Sequence, residues 1–565
     1  MLNTRLRSLL TIPLTRSSSS FLAKEKQDFT SRCQSLTASW STSRWKTLQR
    51  PYQAEDVISK QGSIPPSPPV SLESSRKLFD LLSRREQEGK PVHTIGAIDP
   101  VQVTQMARAG LEAVYVSGWA CSSLLTTGSN ELGPDLADYP YTTVPNQVQR
   151  LCRAQTLHDR IHYDERVSTS DPKKLAELEQ TDYLRPIIAD GDAGHGGVTT
   201  VMKLAKLFAE SGAAAVHFED QMNGAKKCGH QSGKIVVPVG EHLSRLSAAR
   251  LQWDIMGAET LLISRTDAES SRLISSDVDA RDHPFILGTA QPREHSLAEY
   301  LLRAKEKGAK ADELENVERV FLEAAQDDSN RLVTFDEAVK AHIESLSPPE
   351  DPELIWEEYQ SLGLGLCHSQ ARANARQVLG YDVHWECESL RTAEGFYRFK
   401  GGIEAAIQRA LHYAPYADLL WLETKKPDLT QAKAFARRIR EVHPGKMLVY
   451  NLSPSFNWSA HGFGESELKS FVWDLAKEGF VLQLISLAGL HASAVVTSEL
   501  ASAFRTEGML AYVNLIQQKE REIGCDVLTH QKWSGSQYVD RLTEAVSGGS
   551  STAKSTGEDS TENTF

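Results

Sequence analysis

The chain has 565 residues, 40% of them hydrophobic, which is enough for a large catalytic domain with a sizeable buried core. The formal net charge is −12 and charges of both signs are mixed along the sequence, so no nucleic-acid-binding surface is indicated. The seven cysteines show no paired spacing, which argues against a disulfide framework or a zinc ribbon and favours a reducing compartment.

The N-terminus differs from the rest of the chain. Residues 1–23 contain three arginines, four consecutive serines and no acidic residue, and their leucines could form one face of a helix. This composition is typical of a mitochondrial transit peptide and lacks the long apolar core of a secretory signal. We assign residues 1–50, with an approximate end, to a transit peptide and expect the protein in the mitochondrial matrix. A disordered basic tail is the alternative.

Short apolar runs then alternate with amphipathic segments of helix length, the pattern of a parallel sheet with crossover helices. The predicted strands are 92–97, 113–118, 185–190, 214–220, 260–267, 418–424, 446–451 and 481–487. Helices are predicted at Val198–Ser211, Glu241–Met256, Leu429–Val442 and Glu465–Glu478. Eight alternations predict an α/β fold of the closed (β/α)₈ TIM-barrel type, with an open doubly wound sheet as the alternative.

One interval interrupts the alternation. Residues 291–390 are rich in Glu, Lys and Ala, carry SPPEDPE at 347–353, and show no convincing strand. They predict a mainly helical insertion between strands five and six. The barrel would then comprise residues 51–290, including an N-terminal arm, and 391–546 with C-terminal helices. Residues 547–565 are expected to be disordered. The apolar stretch 481–500 is broken by Gln483 and His491, so no membrane span is expected.

Polar residues gather at the ends of the predicted strands, where the active site of a barrel lies. Asp190, Asp192 and Glu219 end strands three and four, and we expect their oxygens to converge on one point. Such donors suit Mg²⁺, a hard cation that keeps several waters, whereas zinc would favour His or Cys pairs. Arg265 and the segment 451–455 add groups that hold carboxylates. GDAGHGG at 191–197 lacks the Lys-Ser/Thr of a phosphate loop.

The segment after strand four carries Lys226, Lys227, Cys228 and His230. Adjacent cations lower the pKa of a thiol, so Cys228 is a candidate acid or base near neutral pH. A structural role in the core is less suited to Lys-Lys-Cys-Gly-His. Gly229 suggests that the backbone closely approaches a ligand. The sequence therefore predicts a polyanionic substrate, a divalent metal and a cysteine that transfers a proton.

At these residues the chain resembles the isocitrate lyase family. The resemblance rests on SGW at 117–119, the Asp-x-Asp-Ala-Gly-x-Gly-Gly loop at 190–197, KKCGH at 226–230, RTDAE at 265–269 and NLSPSFNW at 451–458, and extends from about Thr94 to Leu542. It implies a retro-aldol lyase of a small tricarboxylate. The long insertion resembles the helical domain of fungal and plant members. The family is typically homotetrameric, with C-terminal helices exchanged between subunits.

The resemblance also implies roles for individual residues. Asp190 would bind Mg²⁺ directly, with Mn²⁺ as a possible substitute, and Asp135, Asp192 and Glu219 would hold the metal's waters. Cys228 would protonate the succinate carbanion, and either Tyr115 or Asp192 would take the substrate's hydroxyl proton. The substrate would be bound by Ser117, Gly118, Trp119, Gly229, His230, Arg265, Glu423, Asn451, Ser453 and Ser455.

Two substrates fit such a site: isocitrate, which yields glyoxylate, and 2-methylisocitrate, which yields pyruvate. The transit-like N-terminus favours the second. So does Ser486, which stands where isocitrate lyases often have threonine, because one methyl group fewer makes space for the methyl of the substrate. A methyl group contributes only about 1–3 kcal/mol of discrimination, so some cleavage of isocitrate is expected to remain.

Overall fold

The computed structural model describes residues 17–178, 180–323, 332–346, 351–549, 553–557 and 559–564. The strands are β1 (Val92–Gly96), β2 (Ala113–Val116), β3 (Ile187–Asp190), β4 (Ala213–Glu219), β5 (Ile235–Val236), β6 (Leu261–Thr266), β7 (Leu273–Ile274), β8 (Tyr397–Arg398), β9 (Leu419–Leu422), β10 (Met447–Asn451) and β11 (Leu482–Ile485).

The α-helices are α1 (Ser17–Trp40), α2 (Ala54–Gln61), α3 (Ser71–Glu88), α4 (Pro100–Arg108), α5 (Gly118–Gly128), α6 (Thr143–Ser168), α7 (Pro172–Glu177), α8 (Val198–Ser211), α9 (Val239–Met256), α10 (Leu297–Glu306), α11 (Ala311–Glu323), α12 (Phe335–Glu344), α13 (Pro352–Ser361), α14 (His368–Leu379), α15 (Ile403–Tyr413), α16 (Leu429–Val442), α17 (Glu465–Lys477), α18 (Ala488–Glu507), α19 (Met509–Tyr512), α20 (Gln518–Ile523), α21 (His530–Trp533) and α22 (Ser536–Val546).

Eight parallel strands close into a barrel in the order β1-β2-β3-β4-β6-β9-β10-β11. This confirms the predicted TIM-type barrel and excludes the open sheet. Strands β2, β3, β4, β6 and β9 are buried along their whole length, which explains why they appear in the sequence as continuous apolar runs. The register pairs Asp190 with His217 and Glu219 with Arg265, so polar residues of neighbouring strands meet at one end of the barrel.

The barrel has an interior core and an outer one. The interior core includes Leu261, Leu419 and Trp421 from the strands together with Leu78 and Leu82 from α3, so α3 covers the N-terminal end of the barrel. The outer core lies between the strands and the surrounding helices. Helix termini carry the expected signals. Asp428, for example, caps α16 by accepting a hydrogen bond from the backbone N–H of Gln431 at 3.0 Å. These cores fix the strand ends that carry the site.

The insertion lies between barrel strands β6 and β9, as predicted, and its described residues form helices α10–α14. Residues 324–331 and 347–350 of the predicted insertion lie outside the described residues. The second range is SPPE, the first four residues of SPPEDPE. The sequence did not predict the small sheet β5-β7-β8, in which β7 and β8 flank the insertion and β5 follows β4. Its strands have two residues each, too short to produce a periodic pattern.

The N-terminal segment changes one predicted boundary. Residues 1–16 lie outside the described part of the chain, but Arg44 and Arg50 form buried ion pairs with Asp418 and with Asp254, the second at 2.7 Å. Trp45 is buried as well. Residues 44–50 therefore belong to the folded domain, and residue 50 is too late a limit for a transit peptide, because cleavage there would remove both pairs.

The C-terminal tail also departs from expectation in its described part. Asp540 of α22 accepts hydrogen bonds from the backbone N–H groups of Ser555 and Thr556, at 2.9 and 3.0 Å, so this stretch packs on the helix. Residues 550–552, 558 and 565 lie outside the description. No helix among the described residues is both long and apolar enough to cross a membrane.

Candidate active site

A cavity of about 270 Å³ opens at the C-terminal end of the barrel. Most of the residues predicted from sequence line it, which places the strand-end polar groups around one space. They are Tyr115, Ser117, Trp119, Asp135, Asp190, Cys228, Gly229, His230, Arg265, Glu423, Asn451, Ser453, Ser455 and Ser486. Of the remaining predicted residues, Gly118, Asp192 and Glu219 are buried behind the wall. Trp421, Pro454, Leu487 and His491 complete the lining.

Asp190, the last residue of β3, is held in a fixed orientation. Its Oδ2 accepts hydrogen bonds from the backbone N–H of Gly118 at 3.0 Å and from the hydroxyl of Tyr115 at 3.2 Å. Its Oδ1 accepts one from the backbone N–H of Asp192 at 3.0 Å. A Cβ at Gly118 would lie 2.9 Å from Oδ2, so the close approach of α5 to the carboxylate requires glycine.

Lys226 lies among the neighbouring carboxylates. Its ammonium group, 2% exposed, is 2.7 Å from Oδ1 of Asp135 and 2.8 Å from Oδ1 of Asp192. Burial raises the pKa of Asp135 to about 6, although Lys226 offsets part of this effect. At Asp192, burial is outweighed by Lys226 and His195, so the pKa of its carboxyl lies well below the usual range. The cluster thus carries its own counter-ion.

The predicted carboxylates do not meet as a set of direct metal ligands. Among the described residues, no group of three or more His, Cys, Asp or Glu side chains is arranged to hold a metal ion. The expectation that Asp190, Asp192 and Glu219 converge on one point is therefore wrong for direct ligation, because Asp192 and Glu219 are turned toward other partners. An arrangement with one direct ligand and further carboxylates bound through water still fits these positions.

The environment of Glu219 and the backbone conformations of Asp135 and Asp192 support a cation site of this kind. Oε2 of Glu219 is buried without a hydrogen-bond partner, 3.2 Å from Nε of Arg265, and burial raises the pKa of this carboxyl well above its usual value. Asp135 and Asp192 adopt positive φ angles of 64° and 48°, which are uncommon for non-glycine residues and concentrate at active sites and ligand-binding segments. The donor chemistry, all carboxylate oxygen, fits a hard divalent cation.

Cys228 lines the cavity, but its lysine neighbours do not act on it as expected. Burial raises the pKa of the thiol above its ordinary value, and Asp135 adds to this effect. Lys226 points to the carboxylates instead. The prediction of a lowered thiol pKa is therefore wrong, because burial and Asp135 outweigh the lowering effect of Lys226, whose ammonium group is paired with Asp135 and Asp192. A thiol that stays protonated at neutral pH is suited to donate a proton.

The opposite wall of the cavity combines a buried cation with amide and hydroxyl groups. Nε of Arg265 donates to Asp267 at 2.9 Å and lies 3.9 Å from Oε2 of Glu423. Nδ2 of Asn451 donates to Oε1 of Glu423 at 3.3 Å, which leaves Oδ1 of Asn451 buried without a partner. A Cβ at Gly229 would lie 2.2 Å from Oε1 of Glu423, so the close approach predicted for this glycine is to that carboxylate.

The two candidate bases differ in their access to the cavity. Tyr115 lines it, and its hydroxyl lies 2.9 Å from Nε2 of His217 as well as 3.2 Å from Asp190. Burial raises the pKa of Tyr115 well above its usual value, so the phenol is protonated. Asp192 is fully buried and accepts hydrogen bonds from Tyr139 and from His195, the latter at 3.2 Å. Of the two candidates, Tyr115 is thus the one that lines the cavity.

Sequence reasoning missed several residues that orient the site. Tyr139, His195 and Lys226 hold Asp192, while His217 and Gln221 contact Tyr115 and Glu219. His217 and Gln221 stand in an apolar strand or directly after it and resemble core residues. Tyr139 belongs to the segment Pro134–Pro140 and Lys226 to KKCGH, so the sequence offered both residues. It did not indicate that their side chains point to Asp192.

Comparison with known proteins assigns the site to a family. The model described as "Isocitrate lyase family" matches residues 33–565. A protein of Hypocrea atroviridis named "2-methylisocitrate lyase, mitochondrial" is 54% identical over 93% of this chain and 92% of its own. A mitochondrial 2-methylisocitrate lyase of Saccharomyces cerevisiae is 47% identical over 93% and 91%. An isocitrate lyase of Oryza sativa subsp. japonica is 45% identical over 97% and 95%. The chain belongs to the isocitrate lyase family.

Proposed function

We propose that the protein is a Mg²⁺-dependent 2-methylisocitrate lyase that produces pyruvate and succinate in propionate catabolism by the methylcitrate cycle. The observation that carries the substrate assignment is the order of identity. Two relatives named 2-methylisocitrate lyase are 54% and 47% identical, whereas isocitrate lyases of Oryza sativa and Saccharomyces cerevisiae are 45% and 43% identical. The difference between 47% and 45% identity is small. The position of Ser486 provides a second, independent argument for the substrate.

Ser486 follows β11 and lines the cavity, half-buried, beside Leu487. In the proposal its side chain faces the C2 methyl group of the substrate. A threonine there would carry an additional methyl group into the same space. Because one methyl group discriminates by only about 1–3 kcal/mol, isocitrate would be cleaved as a poorer substrate. Isocitrate lyase activity as the main function is the alternative, and the same residues would perform it.

The metal would be Mg²⁺, with Mn²⁺ as a substitute. Asp190 would bind it directly, and Asp135, Asp192 and Glu219 would bind its waters. The all-oxygen donor set supports this assignment, and so does Oε2 of Glu219, which is buried without a hydrogen bond and has an ion-pair contact with Arg265 at 3.2 Å. When bound, the cation supplies stabilisation of negative charge on the carbonyl oxygen that forms during cleavage. Lys226 keeps the carboxylates oriented through its ion pairs with Asp135 and Asp192.

The chain's own residues bind the tricarboxylate at three places. Ser117, Gly118 and Trp119 at the start of α5 would bind the carboxylate and hydroxyl near Asp190. Arg265, with Gly229, His230 and Glu423 around it, would bind a second carboxylate. Asn451, Ser453 and Ser455 would bind the third. The buried Oδ1 of Asn451 and Nε2 of His230, both without hydrogen-bond partners, support polar ligands on this wall.

The reaction needs one proton removed and one supplied. The substrate hydroxyl would give its proton to the oxygen of Tyr115 while the Tyr115 proton passes to Nε2 of His217, 2.9 Å away. This relay requires no free phenolate. The carbon–carbon bond then breaks, and its electron pair remains on the succinate carbon. The thiol of Cys228 would donate its proton to this carbon, a role that its raised pKa suits.

Two further properties belong to the proposal. Both 2-methylisocitrate lyases above are named mitochondrial, which supports a mitochondrial matrix location together with the basic, acid-free N-terminus. The C-terminal helices expose Val495, Phe504, Met509 and Leu510. Exposed apolar side chains on neighbouring helices are suited to contact another subunit, which supports self-association, and the homotetramer is proposed from the family resemblance.

A direct comparison of substrates tests the proposal. Purified protein is supplied with Mg²⁺ and either 2-methylisocitrate or isocitrate, and pyruvate or glyoxylate formation is measured. We expect a higher kcat/KM for 2-methylisocitrate and loss of both activities on chelation of the metal. A higher kcat/KM for isocitrate would reject the substrate assignment in favour of the alternative.

A further inference from the structure

The segment that follows β4 is fixed at its base by a short antiparallel bridge. Gln221 pairs with Val236, the backbone N–H of Met222 donates to the carbonyl of Ile235 at 2.8 Å, and that of Val237 donates to the carbonyl of Asp220 at 2.8 Å. The residues between these two arms, 223–234, form the Cys228 loop. Gln221 is completely buried at the point from which this loop leaves the barrel.

The side chain of Gln221 reaches from this base into the loop. Its Nε2 donates to the carbonyl of Lys227 at 2.8 Å, and its Oε1 accepts from the backbone N–H of the same residue at 3.0 Å. The second proton of Nε2 is donated to Oε1 of Glu219 at 3.1 Å. The amide thus pairs with both backbone groups of the residue that precedes Cys228, and it also contacts a carboxylate of the proposed metal site.

The backbone of Gln221 is held in place by a residue outside the loop, so it does not move when the loop moves. Nη1 of Arg245, on α9, donates to the carbonyl of Gln221 at 2.7 Å and to the carbonyl of Glu219 at 3.1 Å. Arg245 is itself buried. The amide side chain is therefore anchored to the barrel at one end and to the loop at the other.

Only a glutamine satisfies all three contacts. Glutamate has no N–H to donate to Lys227 or Glu219 and would place a second carboxylate beside Glu219. Leucine has a similar size but would leave the backbone groups of Lys227 without these partners. Asparagine keeps the amide but is shorter by one methylene group.

We propose that Gln221 is a positioning residue that holds the thiol of Cys228 at the reacting carbon and links its position to Glu219. The inference rests on the proposed function, because it assigns Gln221 to the proton-donating step. Other contacts also hold the loop. Lys226 forms ion pairs with Asp135 and Asp192, Lys234 forms one with Asp267 at 2.8 Å, and Nδ2 of Asn223 donates to the carbonyl of Gly196 at 2.8 Å. Gln221 differs from these residues because it lies outside the loop and hydrogen-bonds the backbone of Lys227, directly before Cys228.

Gln221→Leu tests the proposal, with Gln483→Leu as the matched control. Gln483 is also buried, and its Nε2 also donates to two groups, the carbonyls of Val472 and Phe480, but it does not contact the loop. The measurements are kcat and KM, and the rate at which iodoacetamide alkylates Cys228, followed by peptide mass spectrometry with and without Mg²⁺ and succinate. Alkylation of Cys367, on the insertion, is the internal reference.

We expect Gln221→Leu to accelerate alkylation of Cys228 by about 10- to 30-fold, since two hydrogen bonds that hold the loop are lost. A displaced thiol should lower kcat by about 10²-fold. Gln483→Leu should change neither quantity. If Gln221→Leu does not fold, Gln221→Asn, which preserves a buried amide, gives the same comparison.

Equal alkylation rates and equal kcat values in the Gln221 variants and Gln483→Leu would overturn the proposal. A wild-type protein that cleaves neither tricarboxylate would reject the proposed function instead. In that case the alkylation rates still decide whether Gln221 holds the thiol in place.

Discussion

Replacement of Lys226 by methionine should separate the electrostatic role of this residue from its contribution to packing. The ammonium group is 2% exposed and lies 2.7 and 2.8 Å from two carboxylates. Removal of one partner from a buried ion pair costs about 3–5 kcal/mol, because the other partner remains buried without compensation. We expect Lys226→Met to lower the free energy of unfolding by about this amount when the protein is free of metal.

Lys234→Met is the matched control. Lys234 is 1% exposed and forms a buried ion pair with Asp267 at 2.8 Å, but it does not contact the carboxylates of the proposed metal site. Both variants should therefore be destabilised when metal is chelated. Saturating Mg²⁺ should then stabilise Lys226→Met more than wild type or Lys234→Met, because one positive charge has been removed beside the cation's ligands.

The assay is urea unfolding of the three proteins in EDTA and in saturating MgCl₂, followed by circular dichroism. A gain on Mg²⁺ addition that is the same for Lys226→Met and Lys234→Met would refute the reasoning, since it would show that the carboxylates around Lys226 do not form the metal site. An unchanged stability of Lys226→Met in EDTA would show that its ion pairs do not contribute.

Three other substitutions test separate parts of the account. Cys228→Ser should lower kcat by at least about 10²-fold while calorimetry still detects Mg²⁺-dependent tricarboxylate binding; an active variant would reject the acid role. Ser486→Thr should lower the ratio of kcat/KM for 2-methylisocitrate to that for isocitrate by about 10- to 200-fold, and an unchanged ratio would show that this side chain does not face the methyl group. Burial lowers the pKa of Lys446 to about 8, below the roughly 10.4 of an unfolded chain, so the native state binds fewer protons between these values. The free energy of unfolding of wild type relative to Lys446→Met should therefore rise by about 3 kcal/mol from about pH 8 to about pH 10.4 in urea titrations, and a flat difference would contradict the shift.

The barrel could be predicted from the sequence because most of its strands are buried along their whole length and all follow one another in chain order. Each predicted strand overlaps an observed one, for example 214–220 with Ala213–Glu219. The two-residue strands β5, β7 and β8 could not be found in this way. The pairing of β7 with β8 joins residues more than a hundred positions apart, as Ile274 with Tyr397, and so depends on the completed fold.

The members of the site could be predicted, but their mutual orientation could not. Polar residues at parallel strand ends must meet at one edge, which identified Asp190, Arg265 and Asn451. The sequence placed Lys226 and Lys227 near Cys228, whereas the fold turns Lys226 to Asp135 and Asp192. Side-chain direction in a loop depends on contacts with other strands, and no local pattern encodes them.

Cleavage of 2-methylisocitrate in D₂O is the most direct test of the central claim, that the thiol of Cys228 protonates a carbanion released by retro-aldol cleavage. With Mg²⁺ present, we expect pyruvate and succinate in equal amounts, and every succinate should carry one deuterium in a single stereochemical position by mass spectrometry and NMR. Absence of pyruvate would contradict the assigned reaction. Succinate without deuterium, or with deuterium in both positions, would contradict protonation by a positioned thiol.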